Sequence, residues 1–177
     1  RRLRALADEH LSRLGVLLQA CRDVDRVPAD HQLPASSGVP AGHVNRVVVG
    51  TGPGGAWSRL ERGELPVAAF APLFERECAE AGFPIDALAM MARIGEATAP
   101  RPAMLGALRV LRARGLAVAA LTNNWETESG TAGARDDLRG LFDAFIESAV
   151  VGLRKPDPRI YALACEALRV APPEAVF

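Results

Sequence analysis

The stretch LAVAALTNNW, residues 116–125, decides the fold, because its apolar part ends abruptly in one hydroxyl and two amide side chains. A short apolar run that is bounded by polar turn residues is typical of a buried strand. The run follows a leucine-rich segment that starts after Pro100 and Pro102 and stops at Gly115, which predicts an amphipathic helix. The sequence therefore predicts a helix followed directly by a strand over residues 116–121.

The rest of the chain continues this alternation. Its pattern predicts a short helix near residues 136–142, an apolar stretch at 144–151, a helix at 158–168 and a strand that opens at 175. Pro158 suits the first turn of its helix, where the missing N–H costs nothing. Helices and strands that alternate at this spacing indicate an α/β fold with a Rossmann-like parallel sheet core.

Residues 56–99 differ from the rest because no strand pattern interrupts their helical periodicity. The apolar spacing predicts helices at 57–62, 67–81 and 85–96, separated by glycine and proline. We expect these residues to form a helical cap that is inserted after the first strand of the core. The predicted domains are an irregular segment at 1–39, the cap at 40–99 and the core at 100–177, which stops at its last strand. Within the first segment, residues 15–18 fit either a helix or a short buried strand.

Candidate site residues follow the apolar runs. Ligands of a parallel sheet bind at the carboxyl ends of its strands, so Thr122 and Asn123 emerge where chemistry is expected. Lys155 follows another apolar stretch and is the one lysine beside twenty arginines, which indicates a position that needs a compact ammonium group. A hydroxyl, an amide and an ammonium at one sheet edge would bind the oxygens of a phosphoryl group.

Three stretches resemble motifs of the haloacid dehalogenase (HAD)-like hydrolase superfamily. LTNNW (121–125) is similar to its second motif, KPDPRIY (155–161) to its third, and WSRLERGE (57–64) to a recurrent cap-helix sequence. The branch that they resemble includes the N-terminal phosphatase domain of soluble epoxide hydrolases and similar domains beside acyl-CoA dehydrogenase modules. The resemblance implies a HAD-like core with a helical cap.

The resemblance also implies a reaction. In this family an aspartate attacks phosphorus to form an aspartyl-phosphate, while Mg²⁺ offsets negative charge. By resemblance, Thr122 and Asn123 bind the transferred group, and Lys155 stabilises the nucleophile and the phosphoryl oxygens. Asn124 and Trp125 lie next to this site in the sequence and are the candidate substrate contacts. The expected activity is Mg²⁺-dependent hydrolysis of a small phosphomonoester, with dehalogenation as the less favoured reaction.

The aspartate nucleophile and the metal ligands are not identified in the chain. Asp23, in the dyad Asp23-Val24-Asp25, is one candidate nucleophile, and a residue outside the chain is the other. The acidic pair that holds Mg²⁺ in this family would follow the last strand, at the point where the chain stops. We therefore read the chain as part of a longer protein, and a catalytically inactive interaction module is an alternative to an active hydrolase.

A further alternative is dinucleotide binding through residues 50–55. These residues match the pattern G-x-G-x-x-G and follow the apolar triplet Val47-Val48-Val49, which would be the strand of such a motif. The motif also requires a second strand that ends in an acidic residue about 20 positions later, and the sequence does not supply a clear one.

Composition excludes several other classes of partner. The 21 basic and 21 acidic residues balance without long blocks of one sign, which argues against nucleic acid and anionic membrane surfaces as partners. Cys21, Cys78 and Cys165 show neither disulfide nor zinc spacing, which favours a cytoplasmic protein. The expected partner is a small phosphorylated substrate, and the oligomeric state is left open.

Overall fold

The computed structural model describes residues 15–19, 38–96, 102–127, 130–131 and 136–176. Its strands are β1 (Gly15–Gln19), β2 (Ala117–Thr122), β3 (Glu126–Thr127), β4 (Gly130–Thr131), β5 (Ala144–Glu147) and β6 (Ala175–Val176). Four of them form a parallel sheet in the order β5-β2-β1-β6, and β3 pairs with β4 in a small antiparallel ribbon. Residues 15–19 are thus a strand, which settles the choice that their sequence left open.

The helices are α1 (His43–Gly50), α2 (Ala56–Glu61), α3 (Val67–Glu80), α4 (Ala87–Glu96), α5 (Pro102–Ala113), α6 (Asp136–Arg139), α7 (Ser148–Val151) and α8 (Pro158–Leu168). The predicted helices at 57–62, 67–81, 85–96 and 158–168 are confirmed to within two residues at each end. The helix predicted near 136–142 is shorter, since α6 ends at Arg139 and a turn follows. The apolar stretch at 144–151 is divided between β5 and α7.

Strand β2 is the centre of the sheet, and its register defines the edge where a site can form. Val118, Ala119, Ala120 and Leu121 are each at most 1% exposed, as expected for a strand that is covered on both faces. Helix α8 packs on the face that carries Ala119 and Leu121. Thr122 pairs with Glu147 of β5 and Leu121 with Gln19 of β1. Since these strands are parallel, the ends of β1, β2 and β5 lie at one edge.

Helices α1 to α4 pack around a core of their own, and we call residues 43–96 the helical unit. This unit lies between β1 and β2 in the chain. Its buried centre includes Val44, Val47, Trp57, Leu60, Phe70, Phe74, Cys78, Met90 and Ile94. Three aromatic rings form the middle of this cluster: Phe70 and Phe74 stack at 5.1 Å, and Trp57 meets both. The unit corresponds to the predicted cap, whereas the proposed domain boundaries stay predictions.

The strand that dinucleotide binding would require at Val47-Val48-Val49 is absent, because these residues belong to helix α1. Val44, Val47 and Val48 are buried at helical spacing, while Val49 is 70% exposed. The glycine-rich run is therefore a turn between two helices. A Cβ at Gly55 would lie 2.1 Å from the Thr51 Oγ1, so a glycine is needed there for close packing. Dinucleotide binding through residues 50–55 is overturned, because that motif requires a strand before the turn.

Helix α8 begins at Pro158, as its sequence predicts, and an aspartate caps it. Pro158 is its first residue, and the Asp157 carboxylate accepts a hydrogen bond from the Arg159 backbone N–H at 2.9 Å. The Arg159 guanidinium binds the same carboxylate at 2.6 Å. Hydrogen bonds from the side chain and the backbone of Arg159 lower the pKa of Asp157 to about 2. Asp157 is thus a capping residue.

Asp157→Ala is expected to lower the melting temperature at neutral pH, and this difference from wild type should vanish in acid. The pKa of Asp157 is about 2 in the fold, below its ordinary 3.8, so its stabilising effect is present above the ordinary value and is lost as the pH falls through the folded one. Thermal unfolding of both proteins across that range measures the effect. Glu166→Ala, on the exposed face of the same helix, is the control. A difference that persists in acid would contradict the assignment.

Candidate active site

The candidate site lies where β2 ends and the loop after α7 crosses the sheet edge. The Lys155 Nζ donates a hydrogen bond to the Leu121 carbonyl at 2.9 Å. Leu121 directly precedes Thr122, the last residue of β2. The lone ammonium and the threonine, 33 positions apart in sequence, therefore lie at the same rim.

Asn123 holds the backbone of Lys155 through both ends of its side-chain amide. Its Oδ1 accepts from the Lys155 N–H at 2.8 Å, and its Nδ2 donates to the Lys155 carbonyl at 3.2 Å. This pair of hydrogen bonds joins the end of β2 to the lysine loop and fixes where the Lys155 side chain starts. The arrangement supports a positioning role for Asn123, and its direct contact with a transferred group stays a prediction.

Thr122 is half-buried at the carboxyl end of its strand. Its hydroxyl donates to the Asn123 carbonyl at 3.3 Å, which is long for a hydrogen bond between two oxygens. A long bond of this kind is readily exchanged for a shorter one to an oxyanion, since charged acceptors bind donors more strongly. The hydroxyl can therefore donate to a ligand at the rim without a large loss.

Glu61 belongs to the same site, although no role was predicted for it. It is the last residue of α2 and is only 7% exposed. Its Oε2 accepts from the Arg154 Nε at 2.6 Å and from the Asn123 Nδ2 at 3.3 Å. Burial raises the pKa of Glu61, while the charge of Arg154, hydrogen bonds from Trp57 and Arg154, and the charge of Lys155 act in the opposite direction.

Ser58 completes this contact between the helical unit and the core loop. The Arg154 Nη1 donates to the Ser58 Oγ at 3.0 Å, and Ser58 in turn donates to the Gly52 carbonyl at 2.7 Å. Ser58 and Glu61 are both buried and lie three residues apart, so they share one face of α2. Two polar residues at this spacing beside Trp57 and Leu60 were the signal in the sequence that could have revealed the contact.

Asn124 is a buried brace between β2 and β5. It is 2% exposed, and its Nδ2 donates to the Glu147 Oε1 at 2.9 Å. Its backbone N–H donates to the Ser148 Oγ at 2.9 Å, and Arg139 binds the other oxygen of Glu147. These contacts support a structural role for Asn124, and its contact with substrate stays a prediction.

Trp125 packs its ring against the helical unit. The ring meets that of Trp57 edge-on, with centroids 6.0 Å apart, and it contacts the buried cluster of the unit. The second motif therefore extends from the sheet edge to the helices that cover it. The predicted contact of Trp125 with substrate stays a prediction.

Comparison with protein families identifies the chain. The family model for haloacid dehalogenase-like hydrolases matches residues 10–177. The chain belongs to this family of HAD-like hydrolases. The resemblance seen in residues 57–64, 121–125 and 155–161 is thereby confirmed, as is the α/β fold class.

Two mammalian relatives of this HAD-like chain are about one-third identical to it over the segments that match. It is 34% identical to mouse acyl-CoA dehydrogenase family member 10 over 142 residues, which is 78% of the chain and 13% of that protein. It is also 34% identical to pig bifunctional epoxide hydrolase 2 over 153 residues, which is 78% of the chain and 27% of that protein. The chain thus spans about a quarter or less of the length of these relatives.

Solved structures show the same HAD-like fold at low sequence identity. A HAD-family enzyme of Bacteroides thetaiotaomicron, in complex with magnesium and inorganic phosphate, has a TM-score of 0.59 and 15% identity, with 92% of this chain and 82% of that one covered. The L-2-haloacid dehalogenase of Xanthobacter autotrophicus has a TM-score of 0.54 and 23% identity, with 91% and 67% covered. Both similarities concern the fold alone.

The described part of this HAD-like chain lacks a metal site. Within residues 15–19, 38–96, 102–127, 130–131 and 136–176, no three His, Cys, Asp or Glu side chains are grouped so that they could hold an ion. The described side chains therefore do not fit Mg²⁺ by themselves. Asp23, the candidate nucleophile, lies outside the described residues. Across the described helices, none is long and apolar enough to cross a membrane.

Proposed function

We propose that this chain contributes the phosphate-binding part of a hydrolase that cleaves small phosphomonoesters. The observation that carries the proposal is the 2.9 Å hydrogen bond from the Lys155 Nζ to the Leu121 carbonyl, which brings the ammonium beside Thr122 at the carboxyl end of β2. A compact cation and a hydroxyl at this edge suit the oxygens of a phosphoryl group, where negative charge shifts during transfer.

Each residue has a distinct part in this proposal. Lys155 supplies positive charge to the phosphoryl oxygens, and Thr122 donates a hydrogen bond to one of them. Asn123 holds the lysine loop through its two hydrogen bonds to the Lys155 backbone. Arg154 adds little charge to the site, because Glu61 neutralises it at 2.6 Å.

An aspartate nucleophile and a requirement for Mg²⁺ complete the proposal, and both rest on membership of the family. The Bacteroides thetaiotaomicron relative in fold, which is described with magnesium and inorganic phosphate, supports this choice. The nucleophile is Asp23 or a residue outside the chain. The described residues hold no cluster of three potential metal-binding side chains, and the roles assigned above do not depend on the ion.

Two other functions have support of their own. The similarity in fold to an L-2-haloacid dehalogenase favours carbon–halogen cleavage as the second candidate reaction. The lack of a metal site among the described side chains favours an inactive module that binds another domain. These alternatives differ in what the protein releases: phosphate, halide, or neither.

The test is an assay of the full-length gene product that contains this chain. We expect release of inorganic phosphate from an aryl phosphate, and its loss when Mg²⁺ is removed with a chelator. A parallel assay measures chloride release from a 2-chloro carboxylic acid. Chloride without phosphate would replace the proposal by dehalogenation, and neither product from any substrate tried would favour the inactive module.

Thr122→Val is expected to reduce kcat for the aryl phosphate about 10²-fold, because it removes one donor to the phosphoryl oxygens while keeping the side-chain volume. Steady-state kinetics at saturating substrate measure the change. Thr127→Val, on the exposed strand β3, makes the same substitution away from the site and should leave kcat unchanged. Equal kcat values for the two variants would remove Thr122 from the mechanism.

A further inference from the structure

Glu61 and Arg154 form an ion pair that joins the helical unit to the core. They are 93 residues apart in sequence, and their side chains are 9% and 24% exposed. Removal of one partner from a partly buried ion pair is costly, since the remaining charge would stay desolvated without a partner. The pair therefore resists separation of α2 from the lysine loop.

The same carboxylate oxygen also touches the residue that positions Lys155. Glu61 Oε2 accepts from the Asn123 Nδ2 at 3.3 Å, and that nitrogen also donates to the Lys155 carbonyl at 3.2 Å. Because Arg154 and Lys155 are consecutive, the contacts run from Glu61 through Asn123 to Lys155 and return through Arg154. Glu61 thus contacts both the Asn123 amide and the Arg154 side chain of the lysine loop.

We propose that Glu61 is a positioning residue that couples the docking of the helical unit to the placement of the Lys155 ammonium. The inference rests on the proposed function for its catalytic consequence, and deepens it by assigning a regulator of the phosphate site. The site is complete only while α2 is in contact with the loop. Substrates that hold the helical unit against the core therefore also set the lysine for phosphoryl transfer.

Glu61 has a second, electrostatic effect on an anionic ligand. Glu61, Arg154 and Lys155 together carry one net positive charge when Glu61 is ionised. When the negative charge of Glu61 is removed, they carry two. Glu61→Gln should therefore bind a phosphate dianion as well as wild type or better. The same variant should transfer phosphate poorly, because a misplaced ammonium loses its effect in the transition state. A merely structural role would not separate binding from turnover in this way.

The first test compares Glu61→Gln with Glu64→Gln in the full-length gene product. Glu64 lies three residues further along, with its side chain 45% exposed and paired with Arg62 at 2.6 Å, so this control removes the same charge outside the site. We expect kcat of Glu61→Gln to fall about 10- to 100-fold, with KM unchanged or lower. A kcat equal to that of Glu64→Gln, or a higher KM with unchanged kcat, would overturn the catalytic part of the inference.

The second test does not require activity. Hydrogen exchange of the Lys155 N–H, which is bonded to the Asn123 Oδ1 at 2.8 Å, should become about tenfold faster in Glu61→Gln. The Val118 N–H, bonded to the Asp143 Oδ2 at 2.8 Å, should stay unchanged as an internal reference. Unchanged exchange at Lys155 would show that Glu61 does not position the loop. If the wild-type protein has no activity but exchange at the Lys155 N–H is still faster in Glu61→Gln, the proposed hydrolase function is refuted while the positioning of the loop by Glu61 is supported.

Glu61→Asp covers the case in which Glu61→Gln does not fold. This variant keeps the charge and withdraws the carboxylate by one methylene, so both hydrogen bonds from Arg154 and Asn123 become longer. Exchange at the Lys155 N–H should again be faster than in wild type, by a smaller factor. Wild-type exchange and wild-type kcat in Glu61→Asp would together overturn the inference.

Discussion

Lys155→Arg is expected to lower kcat for a phosphomonoester about 10²- to 10³-fold, the usual cost of losing one well-placed electrostatic contact with the transition state. The substitution keeps the positive charge, so its effect measures the shape and position of the cation. Steady-state kinetics of the full-length gene product, before and after the substitution, provide the measurement. The melting temperature should change little, because the backbone of residue 155 keeps its hydrogen bonds to Asn123.

The reason lies in the surroundings of the ammonium. Lys155 is half-buried, and its Nζ donates a hydrogen bond to the Leu121 carbonyl at 2.9 Å. A guanidinium is planar and wider, and it spreads its charge over three nitrogens. It cannot keep this hydrogen bond and also bring a compact charge to the same point beside Thr122. The sequence agrees, since arginine occupies all twenty other basic positions.

Arg159→Lys is the matched control for this substitution. Arg159 lies four residues later in the same motif, and its side chain is 72% exposed, so an exchange of arginine and lysine there should leave kcat unchanged. Wild-type turnover by Lys155→Arg would exclude a special role for the ammonium. A large loss in Arg159→Lys as well would mean that the whole segment is sensitive, whichever cation it carries.

Phe74→Ala is expected to lower the free energy of unfolding by about 3–5 kcal/mol, the range for deleting a buried aromatic side chain. Phe74 is fully buried, stacks on Phe70 at 5.1 Å and meets Trp57 at 5.4 Å. Its removal leaves a cavity that the neighbouring rings cannot fill without leaving their own contacts. Urea unfolding followed by circular dichroism measures the loss.

Leu88→Ala tests whether this loss is specific to the buried centre of the helical unit. Leu88 lies on α4 and is 53% exposed, so its truncation should change the free energy of unfolding by about 0.5 kcal/mol or less. Similar losses in both variants would contradict the view that the aromatic cluster stabilises the unit.

The parts of the fold that the sequence predicted best have strong local signals. Helix α8 has an aspartate cap and a proline in its first turn, and both act within a few residues of the chain. Strand β2 is an uninterrupted apolar run because it is covered on both faces, as central parallel strands are. In each case the residues that determine the element lie within it or directly beside it in the sequence.

The triplet Val47-Val48-Val49 shows where such signals fail. β-Branched residues favour strands, but here burial against helix α3 and its neighbours decides the outcome. The sequence predicted no helix at residues 43–50, and the valine triplet before the glycines offered a strand only as part of the dinucleotide-binding alternative. Tertiary packing of this kind is not encoded within a short window of sequence.

The site was predicted in part. Thr122 and Lys155 come together as expected, because each follows an apolar segment of the same parallel sheet. Glu61 and Arg154 were missed, because the spacing of Ser58 and Glu61 marks only one side of the contact and nothing local identifies a partner 93 residues away. Asn123 was noticed for its amide group, whereas the hydrogen bonds that occupy this amide became visible only in the structure.

The edge-on contact between Trp57 and Trp125 has a practical consequence. The chain contains two tryptophans, and both lie at the junction between the helices and the end of β2, with ring centroids 6.0 Å apart. Their intrinsic fluorescence therefore reports on this junction without any added label. Emission that shifts to longer wavelength would signal entry of water between the two indole rings, so loss of this contact can be followed in real time by a simple optical measurement.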